Sequence, residues 1–398
     1  MESTRKNNRQ LFLDKEFVAT LALAKEGILH PVDKLMNSAE AKEVEESGYY
    51  KGKPFPFPFI IAPAGEKNRE VLTTAYQGEP LDFMVDGKIK GTIIVDEVFG
   101  VDKKKRIEQI FGTYDISNPE TQLFLKRLGD IAVCGEYELH QFDDIKMVKQ
   151  KISDAKAQLS AKNVSAMMMN AKPFHRAHER VIRITLEKCD MLVIFLLKPY
   201  KQDLLSYELR LKALQYFVDN YLPKNRVIVV PFENTYLFSS NKNAVLDAIC
   251  VSNLGCNKLV LGQHHSGIGV YYDKNEMKSI LDHYEDLDIE VEIITEFVYC
   301  NECKTLVSTN TWPHGGHHHI KYHAGSLLEI LKVGMLPPAI FMRKDISALL
   351  LSELFKKRFE NIGKIYDAIF PNDGLLENHD EREFYIELMQ LHQTTSLT

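Results

Sequence analysis

The chain has no run of about 18 apolar residues, so no segment is long and apolar enough to cross a bilayer as a helix. Its first ten residues, Met1 to Gln10, are polar and lack the apolar core of a secretory leader. A cytoplasmic location is therefore expected, with no membrane partner. Cysteine is sparse: six in 398 residues do not make a disulfide framework. Four of them, Cys134, Cys189, Cys250 and Cys256, stand in apolar surroundings and read as buried thiols. There is one tryptophan, no internal repeat and no low-complexity tract. The glycine-rich phosphate loop GxxxxGK followed by Ser or Thr is absent. Charge of one sign is also missing, with 49 basic against 55 acidic residues and a net charge of −6, so no basic field points to nucleic acid. The short run Asp102 to Arg106 is flanked by acids and reads as a solvated turn between strands.

What remains is an ordinary globular composition, 45% hydrophobic and 26% charged. The length predicts two or three domains. Up to about residue 155, short alternating runs dominate: Phe57 to Ala62, Pro80 to Val85 and Ile89 to Val98, with Asp86-Gly87 as a hairpin signal. Helical patterns lie near 33–48 and 118–128. From about 150 onward strands alternate with helices. Met191 to Leu197, Arg226 to Pro231, Lys258 to Gly262 and Val291 to Ile294 are β-branched-rich strands, and helical patterns fall at about 175–189, 205–221 and 241–254. This rhythm predicts a parallel, doubly wound α/β domain, whose ligands sit at the C-terminal ends of its strands. The tail is helical, with Asp345 expected to cap Ile346 to Asn361 and a last helix from Glu381 to His392. Its apolar stripe (Ile346, Leu349, Leu350, Leu354, Phe359) predicts packing on the main body.

Three constellations carry chemistry. The most informative is Ser165 to His178. A buried strand breaks at Lys172-Pro173, and an amphipathic helix then opens with His175 and His178 on its first turn. Both imidazoles and the unpaired N–H groups of a helix start are thus aimed at one spot, an arrangement suited to phosphate. The second is Gly262-Gln263-His264-His265-Ser266-Gly267, glycine-rich and placed just after a strand, where a backbone can approach a ligand. The third is Cys300-Asn-Glu-Cys303, followed by His314, His317, His318 and His319. Two thiolates and one or two imidazoles at this spacing suit a tetrahedral Zn2+. Unpaired thiols and a redox pair are the rival readings.

At these residues the chain resembles the ATP sulfurylase (sulfate adenylyltransferase) family. That family's phosphate motif reads Gln-x-Arg-Asn-Pro-x-His-x-x-His, and here Met169-Asn-Ala-Lys-Pro-Phe-His-Arg-Ala-His178 fills the same frame. Its second motif, Gly-Arg-Asp-His-Ala-Gly, is matched by Gly262 to Gly267. Gly91 to Val98, Ile110 to Asp115, Leu336-Pro-Pro and Phe341-Met-Arg343 extend the likeness over residues 1 to about 345. The resemblance implies a PUA-like, mostly β domain over 1–155, a Rossmann-like nucleotidyltransferase domain over 156–335 and a helical region over 336–398. It implies an enzyme that joins sulfate to the α-phosphate of ATP, with Mg2+ accompanying the nucleotide, acting on small molecules and compatible with a homo-oligomer. His175, His178 and Lys172 then take the catalytic roles. Asn170, Arg176, Gly262, Gln263, His264, His265 and Gly267 take the nucleotide contacts. Cys300, Cys303, His314 and His317 take a structural Zn2+, although Trp312 stands where the bacterial members carry a third cysteine.

The departures gather where sulfate should bind. The family's Gln and Arg are here Met169 and Ala171, its second-motif Arg is Gln263 and the following Asp is His264. A further arginine falls near Leu237. Lys172 restores charge but not the fork of a guanidinium, whose charge-assisted bonds are each worth about 1.5–3 kcal/mol. Two alternatives follow. One is the same fold acting on a different acid. The other is a metal-dependent hydrolase or binding protein built on His175, His178, His264 and His265.

Overall fold

The computed structural model describes residues 8–111, 114, 116, 119–140, 143–199, 204–233, 242–262, 281–284, 286–371 and 379–392. The N-terminal part is built on a five-stranded sheet of β1 (Arg9–Phe12), β4 (Ile61–Pro63), β5 (Pro80–Val85), β6 (Lys88–Gly100) and β7 (Leu128–Leu139), in the order β1-β5-β6-β7-β4. The pair β2 (Tyr49–Tyr50) and β3 (Lys53–Pro54) forms a small ribbon beside it. Only β1 pairs parallel; the rest of the five-stranded sheet is antiparallel. Helices α1 (Lys15–Lys25), α2 (Ser38–Ser47), α3 (Glu66–Thr73), α4 (Lys103–Phe111) and α5 (Pro119–Arg127) surround it, more helix than the alternating runs suggested. The turn expected at Asp102 to Arg106 is instead the start of α4. Asp102 accepts the Lys105 N–H at 3.1 Å as a helix cap, and Arg106 is buried. The strand expected at Phe57 to Ala62 begins only at Ile61.

After α6 (Asp143–Leu159) the chain becomes a doubly wound α/β unit. Its sheet holds β8 (Val164–Met169), β9 (Met191–Lys198), β10 (Val227–Glu233), β11 (Lys258–Gly262) and β12 (Glu290–Ile294), all parallel, in the order β10-β9-β8-β11-β12. Winding therefore runs outward from β8 in one direction and from β11 in the other. Strands buried on both faces explain the continuous apolar runs. Met168, Phe195 and Leu261 belong to one core, and Met167, Ile194 and Val260 to the other, in strict alternation. The connecting helices are α7 (Arg176–Leu186), α8 (Tyr207–Tyr221) and α9 (Asn243–Asn253). A three-stranded antiparallel ribbon follows, of β13 (Phe297–Cys300), β14 (Thr305–Ser308) and β15 (His319–Lys321).

The tail forms α10 (Ala324–Lys332), α11 (Lys344–Leu354), α12 (Ile362–Ile369) and α13 (Glu381–His392). Ile346, Leu349 and Leu350 are buried in the core that also holds Phe217 of α8. Asp345 does not cap this helix: Arg343 occupies the cap position, and Asp345 accepts the Tyr221 hydroxyl of α8. The four cysteines read as buried thiols are buried and free. Among the described residues no helix is long and apolar enough to span a membrane.

Candidate active site

In an open parallel sheet, ligands bind beyond the strand ends where the winding direction reverses. Here that point lies between β8 and β11. The chain leaves β8 at Met169, turns through Ala171 in the left-handed region (φ 49°) and enters α7 at His175. Gly262 closes β11 on the other side of the switch point. The residues after it, Gln263, His264, His265 and Gly267, lie outside the described residues, as does Leu237.

His175 caps α7 in extended conformation (φ −142°, ψ 173°), and His178 sits three residues on. Their rings stack at 3.7 Å between centroids, 19° from parallel. The backbone N–H of His175 donates to Nδ1 of His178 at 3.2 Å. This fixes the tautomer: a neutral His178 must carry its proton on Nε2. The Phe174 ring lies nearly parallel to His178 at 5.7 Å between centroids and packs on Phe217 at 5.0 Å. His178 keeps part of its surface accessible but is enclosed by protein on most sides, and desolvation holds it down to about 4. His175 is 7% exposed; burial first, and the neighbouring His178 second, hold it well below the ordinary imidazole value. Its buried Nδ1 has no hydrogen-bond partner among the described residues. At neutral pH both rings are therefore uncharged, and the pair offers directed N–H and lone-pair contacts rather than two positive charges.

The first helical N–H, of Arg176, donates to the carbonyl of Phe341 at 2.8 Å, leaving those of Ala177 and His178 unclaimed by any described backbone carbonyl. Glu179, 5% exposed, receives Arg343 Nε at 2.9 Å on both carboxylate oxygens and Arg176 Nη1 at 3.4 Å. The Arg343 guanidinium lies 3.9 Å above the Tyr221 ring, and Arg176 also donates to the Ala339 carbonyl. Lys172 is half-buried, and Asn170 is exposed at the sheet edge.

Met169 and Ala171, at 4% and 2% exposure, are part of the core and present no polar group where the family motif has Gln and Arg. One cation near this edge was not singled out from the motifs: Arg210 of α8, 1% exposed, donates to the carbonyls of Asn170, Leu197 and Leu205 and so ties the ends of β8 and β9 together. Its signal in the sequence is an arginine on the apolar stripe Arg210, Ala213, Leu214, Phe217.

The third constellation folds into the ribbon. Cys300 closes β13, Cys303 lies in the turn before β14, and Nδ1 of His314 lies 3.4 Å and 3.2 Å from their respective sulfurs. These three donor atoms all lie within 4.8 Å of one another. Burial pushes the Cys300 thiol up, but hydrogen bonds from the Cys303 backbone and from His314 outweigh it and bring the thiol down to about 7. The donor set fits Zn2+, supplying two sulfurs and one imidazole. His317 does not join it; it lies exposed on the short turn Gly316–His318, its ring tilted 46° against that of His318 at 4.1 Å between centroids. If the ribbon is a metal knuckle, Cys300→Ser will abolish binding of about one zinc per chain. It will also make residues 296–320 sensitive to thermolysin. Metal analysis checks this, and metal-free wild-type protein with a protease-resistant ribbon would rule the knuckle out.

A doubly wound sheet with a capped two-histidine helix at its switch point defines a nucleotidyltransferase-type enzyme. A family model described as ATP-sulfurylase matches residues 143–353, and one described as a PUA-like domain matches residues 1–142. The chain belongs to the ATP-sulfurylase family. It is 26% identical to a sulfate adenylyltransferase of Chloroflexus aurantiacus over 85% of this chain and 90% of that one. It is also 26% identical to one of Psychrobacter sp., over 84% and 81%. A solved structure titled hexameric APS kinase from Thiobacillus denitrificans shares the fold, with a TM-score of 0.61 at 15% identity over 86% of this chain. This chain spans only 62% of that structure.

Proposed function

We propose that this protein transfers the adenylyl group of ATP to a small oxyanion, with sulfate as the acceptor, giving adenylyl sulfate and pyrophosphate. The observation carrying the reading is the neutral histidine pair at the sheet's switch point, in a chain whose relatives bear that activity's name. An acceptor oxygen forms a bond to the α-phosphorus as the bond from that phosphorus to the β-bridging oxygen breaks, and the electron pair leaves with pyrophosphate. Charge then spreads over the phosphate oxygens, and preorganised donors are what lowers the barrier. His178 Nε2–H and the Ala177 N–H at the start of α7 are such donors. Asn170 and Lys172 flank them in the sequence, while the Arg176 guanidinium turns to Glu179 and the Ala339 carbonyl. Gly262 ends β11 across the switch point, and Gln263, His264, His265 and Gly267 follow it in the sequence as the remaining candidate contacts. Magnesium enters with ATP and offsets its charge.

One observation favours a second reading of the acceptor. With Met169 and Ala171 buried and apolar, that part of the site offers no guanidinium to hold a dianion. An oxyanion of lower charge would sit there at a smaller desolvation cost.

The test is pyrophosphate release from Mg-ATP with and without sulfate, beside thermal stabilisation by ATP. Sulfate-dependent release that falls about 100-fold or more in His175→Ala is the expected result. Stabilisation by ATP without sulfate-dependent release would remove sulfate and keep the nucleotide. No stabilisation by ATP would remove the nucleotide reading.

A further inference from the structure

We propose a second nucleotide site on the outer flank of α7, separate from the strand-end site and not dependent on the role given to the histidines. Arg176, Arg180 and Arg183 follow one another at spacings of four and three residues, so they share one face of the helix. That face forms one wall of a cleft of about 300 Å3, with Lys304, Thr305 and Tyr299 of the ribbon and Tyr322 opposite. This volume is at the lower end of what small-ligand sites occupy.

The charge balance of the cleft is one-sided. Its acidic wall residue is Glu179, and that carboxylate is already taken by Arg343 and Arg176. Arg183 has one amino group on the Tyr221 carbonyl, and Lys304 reaches the side chain of Asn301. Arg180 is exposed, and its guanidinium has no partner among the described residues. A chain of net charge −6 thus gathers four cations in one cleft around a carboxylate that is already neutralised. Cations alone would suit any polyanion. The two tyrosine rings narrow the class: Tyr322 is fixed by its hydroxyl on the Ile340 carbonyl, and Tyr299 stands on the facing strand. Guanidinium groups for a di- or triphosphate, with aromatic faces for a base, match a nucleotide.

The site lies along the helix flank rather than at its N-terminus, and Tyr322 stands between the two, its ring 5.4 Å from that of His175. Calorimetric titration of the full chain with Mg-ADP tests the proposal. Wild-type protein should show two classes of site. The double variant Arg180→Ala/Lys304→Ala changes two exposed side chains and should keep its thermal midpoint and the strand-end site. Its affinity at the other site should fall at least about tenfold, the loss of one charge-assisted contact. His175→Ala should keep the flank site, so failure of the strand-end reading and failure of this one are distinguishable. A double variant that binds Mg-ADP with the same number of sites and the same affinities as wild type overturns the proposal. Inorganic pyrophosphate binding there as tightly as Mg-ADP overturns the nucleotide class.

Discussion

Glu179→Ala is expected to destabilise the protein by about 3 kcal/mol, the lower end of what removing one partner from a buried ion pair costs. The lower end applies because the Arg343 side chain keeps 20% of its surface exposed and Arg176 keeps 31%, so water recovers part of the lost interaction. The carboxylate side chain itself is only 7% exposed and receives Arg343 on both oxygens. Without it, the guanidinium remains pressed on Tyr221 with no counter-charge. Urea unfolding followed by far-ultraviolet dichroism measures the effect, and a loss under about 1 kcal/mol would show that the arginines are solvated well enough without the acid. Glu179→Gln separates charge from shape. It keeps one acceptor for Arg343, so a smaller loss is expected.

The second large effect is acid sensitivity arising from the histidine pair. His178 is held down to about 4 in the fold, against 6.5 for an unperturbed imidazole. A folded-state value below the unfolded one means that the unfolded chain takes up the proton first. The stability from neutral His178 is therefore fully present above about pH 6.5 and is lost as pH falls toward 4. The full span corresponds to about 3 kcal/mol. His175 is shifted in the same direction by burial and by its neighbour and adds to the loss. In His178→Gln the slope of unfolding free energy between pH 6.5 and 4 should flatten relative to wild type, while carboxylate contributions are the same in both proteins. Parallel slopes in the two proteins would mean that His178 titrates normally. Ligand binding is linked to the same protons: an anion settling on these rings favours their charged forms, so its binding should draw protons from solvent.

The sequence showed much of the site's frame because its parts are local. A strand that ends shortly before the Lys172-Pro173 break, at Met169, and a helix that starts with two histidines are read from neighbouring residues, and both are present. The parallel sheet was legible from its continuous β-branched runs. What could not be read depends on contacts distant in sequence. That His178 would take its neighbour's N–H rather than bind as a cation depends on how Phe174 and Phe217 enclose it. The pairing of Glu179 with Arg343 spans 164 residues, and no periodicity marks it. Asp345 looked like a cap on local grounds, yet the Tyr221 hydroxyl claims it. The run from Asp102 to Arg106 looked like a turn because its charges dominate the local pattern. The apolar positions Ile107 and Ile110 just beyond it, both buried, pull the whole segment into a helix. Among the ribbon's histidines, spacing alone could not choose between His314 and His317; the fold places His314 beside both sulfurs.

The Phe341 carbonyl that receives the Arg176 N–H has a broader consequence. Together with Arg343 it makes the tail a structural member of the histidine helix rather than an appendage to it. Fraying of the C-terminal helices would release the first turn of α7 at the same moment, so site and tail should open and close as one unit. Catalytic competence would then report the integrity of helices remote in sequence from the histidines, and drift in the tail over evolution would be limited by the needs of a turn more than 150 residues upstream.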